Sequence, residues 1–503
     1  VEAATGSLGQ GLPIGVGFAI AARMEGIPRR TFVLCGDSEM AEGSMWEAIE
    51  HAGHERLDRL IAIVDVNRLG QRGPTRHEWD LDAYARRFSA FGWETLEVDG
   101  HDIAQIDAAL SQADAETSRP TAILARTVKG KGVPEVEDQV DYHGKALDRS
   151  EEAIERLGGP SDIVIPPAPP LEVEPRSPET ASLAGDVEAS EARWEVGEEV
   201  ATRSAYGEAL VALGRRRPEV VALDGEVSNS TRADAFAREF PDRFVEAYIA
   251  EQNMVGMAIG LARSGYHPFA SSFAAFLSRA YDFIRMAPVS GVDITLVGSH
   301  AGVSIGPDGP SQMGLEDIAA FRAVAGSTVL YPCDANQTRA LVELLADVSG
   351  VGYLRTTRGD TPVIYEPDET FELGGSKTLR RSDADQAVVV AAGITVHEAL
   401  AAVDDLGAPV TVIDAYSVQP LDAESIAGAV ASAGSVVVVE DHRPQGGLGE
   451  AVAAALLSRG VRCEFRHLAV EGVPASATPQ EQLALAGIDR GAIRAALEAL
   501  LRR

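Results

Sequence analysis

Two short segments near the amino end carry residue types suited to a phosphate-bearing ligand and its counter-ion. Gly36-Asp37 and Asn67 each follow a short apolar run, Thr31–Cys35 and Leu60–Val64 respectively. Asp and Asn supply oxygen ligands for a hard divalent cation, which keeps its other positions for phosphate or water. Glycine lets a ligand come close to the backbone. Asp37 and Asn67 stand 30 positions apart, the spacing of a diphosphate site. A capping Asp and a turn Asn account for the same residues more plainly. The lysines add to the pattern. Among 44 basic residues four are Lys, and Lys129, Lys131 and Lys145 fall together, apart from Lys377. They lie in Lys129-Gly-Lys-Gly and Tyr142-His143-Gly-Lys145, a glycine-bearing basic loop of the kind phosphate contact needs. A solvated surface loop is the alternative.

Further along, Tyr248-Ile-Ala-Glu251-Gln-Asn opens a helical run rich in Met, Gly and Ala. A carboxylate placed there is expected to be partly desolvated, which raises its pKa and suits proton exchange with a ring nitrogen. A first-turn Glu favoured by the helix dipole would occupy the same place. Phe273 and Phe276 read as core. The segment Gly298-Ser-His300-Ala-Gly-Val-Ser-Ile-Gly-Pro-Asp308-Gly-Pro-Ser-Gln312 follows a strand-like run and is too polar for packing alone. Arg203, Arg355 and Arg358 are candidate anion clamps.

Ligands in open α/β sheets sit beyond the carboxyl ends of the strands, so parallel strands must end together near these residues. Thr31–Cys35, a helix over Met40–His54 and Leu60–Val64 predict such a parallel pair, buried on both faces. Residues 161–195, with Pro-Pro-Ala-Pro-Pro at 166–170, read as an extended linker. A second block predicts strands at Val220–Leu223, Pro268–Ser272, Asp293–Val297, Thr328–Tyr331 and Gly352–Leu354, with helices over 251–264 and 334–347. A third predicts strands at Ala387–Ala391, Val410–Ile413, Val436–Val439 and Cys463–His467. The fold expected is α/β, with three consecutive doubly wound parallel-sheet domains at 1–160, 196–370 and 375–503.

Composition narrows the function classes. The 503 residues carry a formal charge of -32, which disfavours nucleic acid or an anionic membrane as a general partner. A small phosphorylated substrate needs only a local cation cluster. No apolar run reaches the roughly eighteen residues of a membrane span. The three cysteines make no disulfide framework, and a reducing cytoplasm is expected.

Taken in order, these segments resemble the transketolase family of thiamine-diphosphate enzymes. The matching pieces are Thr5-Gly-Ser-Leu-Gly-Gln-Gly11, Gly36-Asp37-Ser38-Glu39 with Asp65-Val-Asn67-Arg-Leu69-Gly-Gln, and Phe91-Gly-Trp-Glu-Thr-Leu-Glu-Val-Asp-Gly-His101. Lys129-Gly130 with His143-Gly144-Lys145, Tyr248–Asn253, Phe273-Ala-Ala-Phe276, the 298–312 segment and Arg355-Thr-Thr-Arg358 follow. The resemblance implies a diphosphate-binding domain (1–160), a pyrimidine-binding domain (196–370) and a transketolase C-terminal domain (375–503). It also implies a homodimer with active sites at the interface, Glu42 and Glu251 lying near it.

By the same resemblance, Asp37, Asn67 and the Leu69 carbonyl would hold Mg2+ or Ca2+. Gly6, Ser7, Leu8, Gly36, Asn67, Lys129, His143, Phe276 and Gln312 would line thiamine diphosphate. Glu251, His143 and His300 would be catalytic. Arg203, Ser230, His300, Asp308 and Arg358 would bind the sugar phosphate. The implied reaction moves a two-carbon ketol unit from xylulose 5-phosphate to ribose 5-phosphate or erythrose 4-phosphate through the cofactor's ylide, in the pentose phosphate pathway. Alternatives are a deoxyxylulose-phosphate synthase-like enzyme and a non-catalytic regulatory chain of the same fold. Two departures stand out. Ser38 replaces the usual glycine after Asp37 and must tolerate or bend the local backbone. The family's first hundred or so residues, which supply further active-site histidines, have no counterpart here, so an upstream segment or a partner chain is expected to complete the site.

Overall fold

A computed structural model describes residues 2–166 and 192–502; of the expected linker, residues 167–191 lie outside the described residues. Residues 3–166 form one compact unit and residues 192–502 another. In the first unit, β1 (Thr31–Gly36), β2 (Leu60–Val66), β3 (Glu94–Asp99) and β4 (Thr121–Arg126) form a parallel sheet in the order β1-β2-β4-β3. The helices Gly11–Glu25, Gly43–His54, Leu81–Ala90 and Ile103–Ala115 connect or flank these strands. β2 and β4 are buried along most of their length. β1 departs from the expectation of burial on both faces: it is an edge strand, and its Phe32 and Leu34 are 50% and 74% exposed in this chain.

The second unit contains the remaining strands, in chain order β5 (Glu199–Ala201), β6 (Val220–Asp224), β7 (Phe244–Glu246), β8 (His267–Phe273), β9 (Ile294–Ser299) and β10 (Thr328–Leu330). β11 (Val351–Arg355), β12 (Asp360–Pro362), β13 (Lys377–Arg380), β14 (Ala387–Ala391), β15 (Val410–Asp414), β16 (Ser417–Gln419), β17 (Ser435–Val439) and β18 (Glu464–Leu468) complete it. One sheet runs β16-β10-β11-β9-β8-β6-β7 and another β13-β15-β14-β17-β18, while β5 and β12 pair by themselves. The Val-rich strands β14 and β17 are buried throughout, as parallel strands covered on both faces require. The sheets are not wholly parallel. β13 and β16 pair antiparallel at their edges, and β16 adds to the seven-stranded sheet although it follows β15 directly in the chain. Edge strands tolerate either direction because they form only one ladder.

Register decides which side chains meet. Phe273 at the end of β8 pairs with Ser299 at the end of β9, and Arg355 at the end of β11 pairs with Gly298. Arg355 is not the anion clamp expected from sequence. It is fully buried with Asp317, donating through Nε to Oδ2 at 2.8 Å and through Nη2 to the Gly314 and Asp441 carbonyls at 2.8 and 2.9 Å. Tyr353 adds a hydrogen bond from its hydroxyl to Asp317 Oδ2 at 2.6 Å.

Removing one partner of a buried ion pair strands the other charge. Arg355→Ala is therefore expected to lower unfolding stability by about 3–5 kcal/mol, read from urea denaturation. The double variant Arg355→Met/Asp317→Leu should cost less than that single change, since neither member of the pair is left as a lone charge.

Candidate functional site

The first unit assembles its polar residues on the loops after β1, β2 and β4. Asp37 is 5% exposed, and its Oδ2 accepts from the Arg68 amide at 2.7 Å and the Thr75 hydroxyl at 3.1 Å. Its Oδ1 accepts from the Ser38 amide at 2.8 Å. Burial pushes the Asp37 carboxyl above its ordinary range, against these three hydrogen bonds. Arg68 holds a left-handed φ of 64°, uncommon for a residue with a side chain, in the turn that aims its amide at Asp37. Asn67 Oδ1 accepts from the Leu69 amide at 3.1 Å, while its Nδ2 donates to Asp65. The Leu69 carbonyl accepts from Lys129 Nζ at 2.9 Å, and that ammonium lies 3.0 Å from His143 Nδ1.

Lys129, His143 and Leu69 thus meet across 74 residues of chain, since His143 and Leu69 are that far apart in sequence. Lys145 instead lies 6.0 Å from the Tyr142 ring. Ser38 has φ -66° and ψ -39°, an ordinary right-handed conformation, so replacing the family's glycine imposes no bend. Glu39, not singled out from sequence, joins the two glycine turns by accepting from the Gly9 amide at 2.8 Å and the Gly36 amide at 3.0 Å. Gly9 has φ 86°, and a Cβ there would come within 2.8 Å of Glu42, so this turn needs glycine. Gly6 faces open space, and Ser7 and Leu8 lead from it into the Gly11–Glu25 helix, Leu8 exposed. Glu42 is exposed at the start of the Gly43–His54 helix.

This set fits a hard cation. Asp37 Oδ1, Asn67 Oδ1 and the Leu69 carbonyl each accept one protein hydrogen bond, which leaves a lone pair on each oxygen. The last of these already holds a positive group, the Lys129 ammonium. Among the described residues no three His, Cys, Asp or Glu side chains gather for a metal, so the donors here are a mixed set of carboxylate, amide and carbonyl oxygen.

In the second unit, Glu251 is the first residue of the Glu251–Arg263 helix and is 3% exposed. The apolar setting expected for it is modified by a cation. Arg279 Nη1 lies 3.5 and 3.4 Å from its two oxygens, and the same guanidinium sits 5.6 Å from the Phe276 ring. Tyr248, in the turn before Glu251, has φ 56°. Phe273 stacks on Phe276 at 5.2 Å and on His300 at 3.9 Å, both with nearly parallel planes, and Phe276 stays partly exposed.

His300 is buried at φ 56°, with Ser299 Oγ 2.9 Å from its Nδ1. Burial first, then the charges of Arg203 and Arg358, push its pKa down to about 4, so it is neutral at pH 7. Arg203 donates from Nη1 to the Ser230 carbonyl at 2.9 Å and from Nε to the Arg358 carbonyl at 3.1 Å. Arg358 Nη1 pairs with Asp308 Oδ1 at 2.8 Å and donates to the Ile305 carbonyl at 3.3 Å. Arg203, Ser230, His300, Asp308 and Arg358 therefore form one cluster beyond the strand ends. Ser230 enters it through its carbonyl. Gln312 is tied by its backbone to Gly309 at 3.1 Å, and among the described residues its side chain bonds none of the cluster.

Sequence reasoning also passed over Asp224, Ser299 and Arg279. Asp224 closes the apolar run Val220–Leu223 much as Asp37 closes its own, which was a usable signal. Ser299 precedes His300 at a strand end. Arg279 had no local signal, since its partner Glu251 is 28 residues away.

Three family profiles match the chain: "Transketolase, thiamine diphosphate binding domain" over residues 1–159, "Transketolase, pyrimidine binding domain" over 198–363, and "Transketolase, C-terminal domain" over 376–493. A Transketolase-like protein 2 from Mus musculus is 44% identical over 508 residues, covering 99% of this chain and 80% of that protein. Transketolase from Homo sapiens is 44% identical over 511 residues, covering 99% of this chain and 81% of that protein. The crystal structure of a Pichia stipitis transketolase complexed with sedoheptulose 7-phosphate shares the fold, with TM-score 0.82 and 22% identity over 100% of this chain and 82% of that one.

Asp224, at the carboxyl end of β6, gives this unit a pH signature. Its oxygens accept from the Thr231 hydroxyl at 2.6 Å and the Val227 amide at 2.7 Å, yet burial outweighs both and raises its pKa to about 7. A carboxyl raised in the fold is neutral there while the unfolded chain ionises near pH 4, so stability falls as pH rises from about 4 through 7. In Asp224→Asn, the amide can donate to Thr231 and accept from Val227 at every pH. The urea midpoint of the variant should gain on wild type between pH 5 and pH 8.

Proposed function

The chain belongs to the transketolase family, and we propose that it is itself a transketolase, moving a two-carbon ketol unit from xylulose 5-phosphate to ribose 5-phosphate or erythrose 4-phosphate. The reading takes thiamine diphosphate as cofactor with Mg2+ or Ca2+, a cytoplasmic homodimer as the working form, and the pentose phosphate pathway as its place. One observation carries it. Arg203 and Arg358 spend Nε and Nη1, or Nη1 alone, on internal partners, and the Nη2 group of each has no protein partner among the described residues. Two cations with unspent donors beside a neutral buried His are the means of holding a sugar phosphate by its anion while a ring N–H meets its oxygens.

When bound, thiamine diphosphate supplies the carbon nucleophile that cleaves the bond next to a ketose carbonyl and carries the two-carbon piece. The chain's own residues bind, orient and move protons. Asp37, Asn67 and the Leu69 carbonyl would hold the metal, and Lys129 would turn its ammonium to the diphosphate. Gly6, Ser7, Leu8 and Gly36 would leave the backbone open to it, with His143 alongside. Glu251 would hold a proton on a ring nitrogen, with Arg279 orienting the carboxylate; Phe276 offers a ring face, and Gln312 a further contact. Asp308 steers Arg358 through their ion pair and leaves the sugar hydroxyls a carboxylate acceptor. His300, neutral at pH 7, would donate a hydrogen bond to the substrate and is poorly suited to carry a proton as imidazolium. Glu42, exposed in this chain, and Glu251 would lie near the homodimer interface.

The test is an assay with xylulose 5-phosphate, ribose 5-phosphate, thiamine diphosphate and Mg2+. Sedoheptulose 7-phosphate is the expected product, from this chain alone or with the segment or partner expected to complete the site; pyruvate consumption with release of carbon dioxide, or cofactor binding with no product under either condition, overturns the reading. Glu251→Gln is expected to lower turnover by roughly a hundredfold or more with the circular-dichroism spectrum unchanged. Near-normal turnover in that variant would remove Glu251 from its role.

A further inference from the structure

Ser299 ends β9 and is fully buried, with its Oγ 2.9 Å from His300 Nδ1. One of the two atoms must donate. Among the described residues this hydroxyl has no other partner. If Nδ1 carried the imidazole proton and donated to Oγ, the proton of Ser299 would itself be buried without an acceptor, a desolvation cost that nothing offsets. If Ser299 donates to Nδ1, both groups are satisfied and the neutral ring keeps its one proton on Nε2, which has no protein partner among the described residues. From this we infer that Ser299 is a positioning residue, holding His300 in the Nε2–H tautomer so that the histidine meets substrate as a neutral donor.

The surrounding structure leaves the ring little freedom to evade this. Phe273 pairs with Ser299 in the β8–β9 ladder, and the Ala274 amide donates to the Ser299 carbonyl at 2.7 Å. That register lays the Phe273 ring 3.9 Å from the His300 ring at an interplanar angle of 11°. Beyond His300, the Ala301 amide bonds the Thr356 carbonyl and the Gly302 amide bonds the Gly314 carbonyl, which keeps the φ 56° turn in place. Arg203 and Arg358 disfavour a second proton on the ring, and Asp308, which favours one, is already paired with Arg358. The ligand this arrangement suits is a hydroxyl or carbonyl oxygen of a sugar whose phosphate lies on the two arginines. That ligand class rests on the proposed function; the tautomer does not.

Both can be tested on the full chain. Long-range proton–nitrogen correlation spectra of 15N-histidine-labelled protein at pH 7 separate the tautomers, with His300→Gln used only to assign the signal. Wild type should show a protonated Nε2 and an unprotonated Nδ1. Ser299→Thr should keep that pattern, and Ser299→Ala should show averaging toward the other tautomer. A proton on Nδ1 in wild type, or an alanine variant with the wild-type pattern, overturns the assignment. The wild-type spectrum decides even if a variant does not fold. In the ketol-transfer assay, kcat/KM for the ketose should fall about tenfold in Ser299→Ala, the worth of one hydrogen bond, and recover in Ser299→Thr. An unchanged kcat/KM in Ser299→Ala overturns the positioning role. Absence of turnover in wild type would count against the proposed function, while the spectra would still decide the tautomer.

Discussion

The arrangement of the larger unit depends on one buried ion pair. Arg355 and Asp317 lie out of contact with water, where each charge alone would be prohibitive, and a single guanidinium reaches the Asp317 carboxylate, the Gly314 carbonyl and the Asp441 carbonyl. Gly314 closes the polar loop that begins at His300, and Asp441 follows β17 in the five-stranded sheet. Asp441 returns the connection by accepting from the Val303 amide at 2.8 Å. The two sheets and the loop that carries His300 and Asp308 are therefore held by groups that cannot separate without exposing a charge or orphaning a carbonyl. A loop so held can keep His300 at a positive φ, a strain that an isolated turn would relax.

The first unit solves a related problem with smaller groups. In the proposed role its loops would present oxygens to a cation without collapsing onto one another. Glu39 spans the amides of Gly9 and Gly36, Asp37 gathers amide and hydroxyl donors from 68 and 75, and Lys129 supplies positive charge at Leu69. Two guanidiniums approach the Trp79 ring, Arg68 at 4.8 Å and Arg126 at 4.4 Å, and its Nε1 donates to the Thr127 carbonyl. Those contacts tie the 67–79 loop to the segment leading into the lysines.

Much of this was legible in the chain. Short apolar runs ended by Gly-Asp, Asn or Ser-His mark parallel strands and the residues at their carboxyl ends, because a buried strand admits few polar side chains until it leaves the sheet. That rule located Asp37, Asn67 and His300. The same rule covers Asp224, where it was not applied. Edges were less legible: the reading buried Phe32 and Leu34 on both faces, and it gave β13 and β16 no antiparallel pairing. An edge strand's direction and exposure depend on what lies beside it, which its own residues do not encode. Arg355 was misjudged for a similar reason, since an arginine near a second arginine looks like a clamp until Asp317 is seen to meet it.

Residue type and local spacing by themselves determined the α/β architecture and the strand ends that carry Asp37 and Asn67, because these follow from patterns within a few turns of chain, while the resemblance to the family rested on motifs in order along nearly the whole chain. Only the tertiary structure decided how the groups are spent. It gave Arg355 to Asp317, Arg279 to Glu251 and Lys129 to Leu69, and among the described residues it left donors free on Arg203 and Arg358. Hydrogen-bonding capacity is allotted among groups that are distant in sequence and adjacent in space, so neither the charge state of His300 nor the partner of its Nδ1 could be read before the strands were in register.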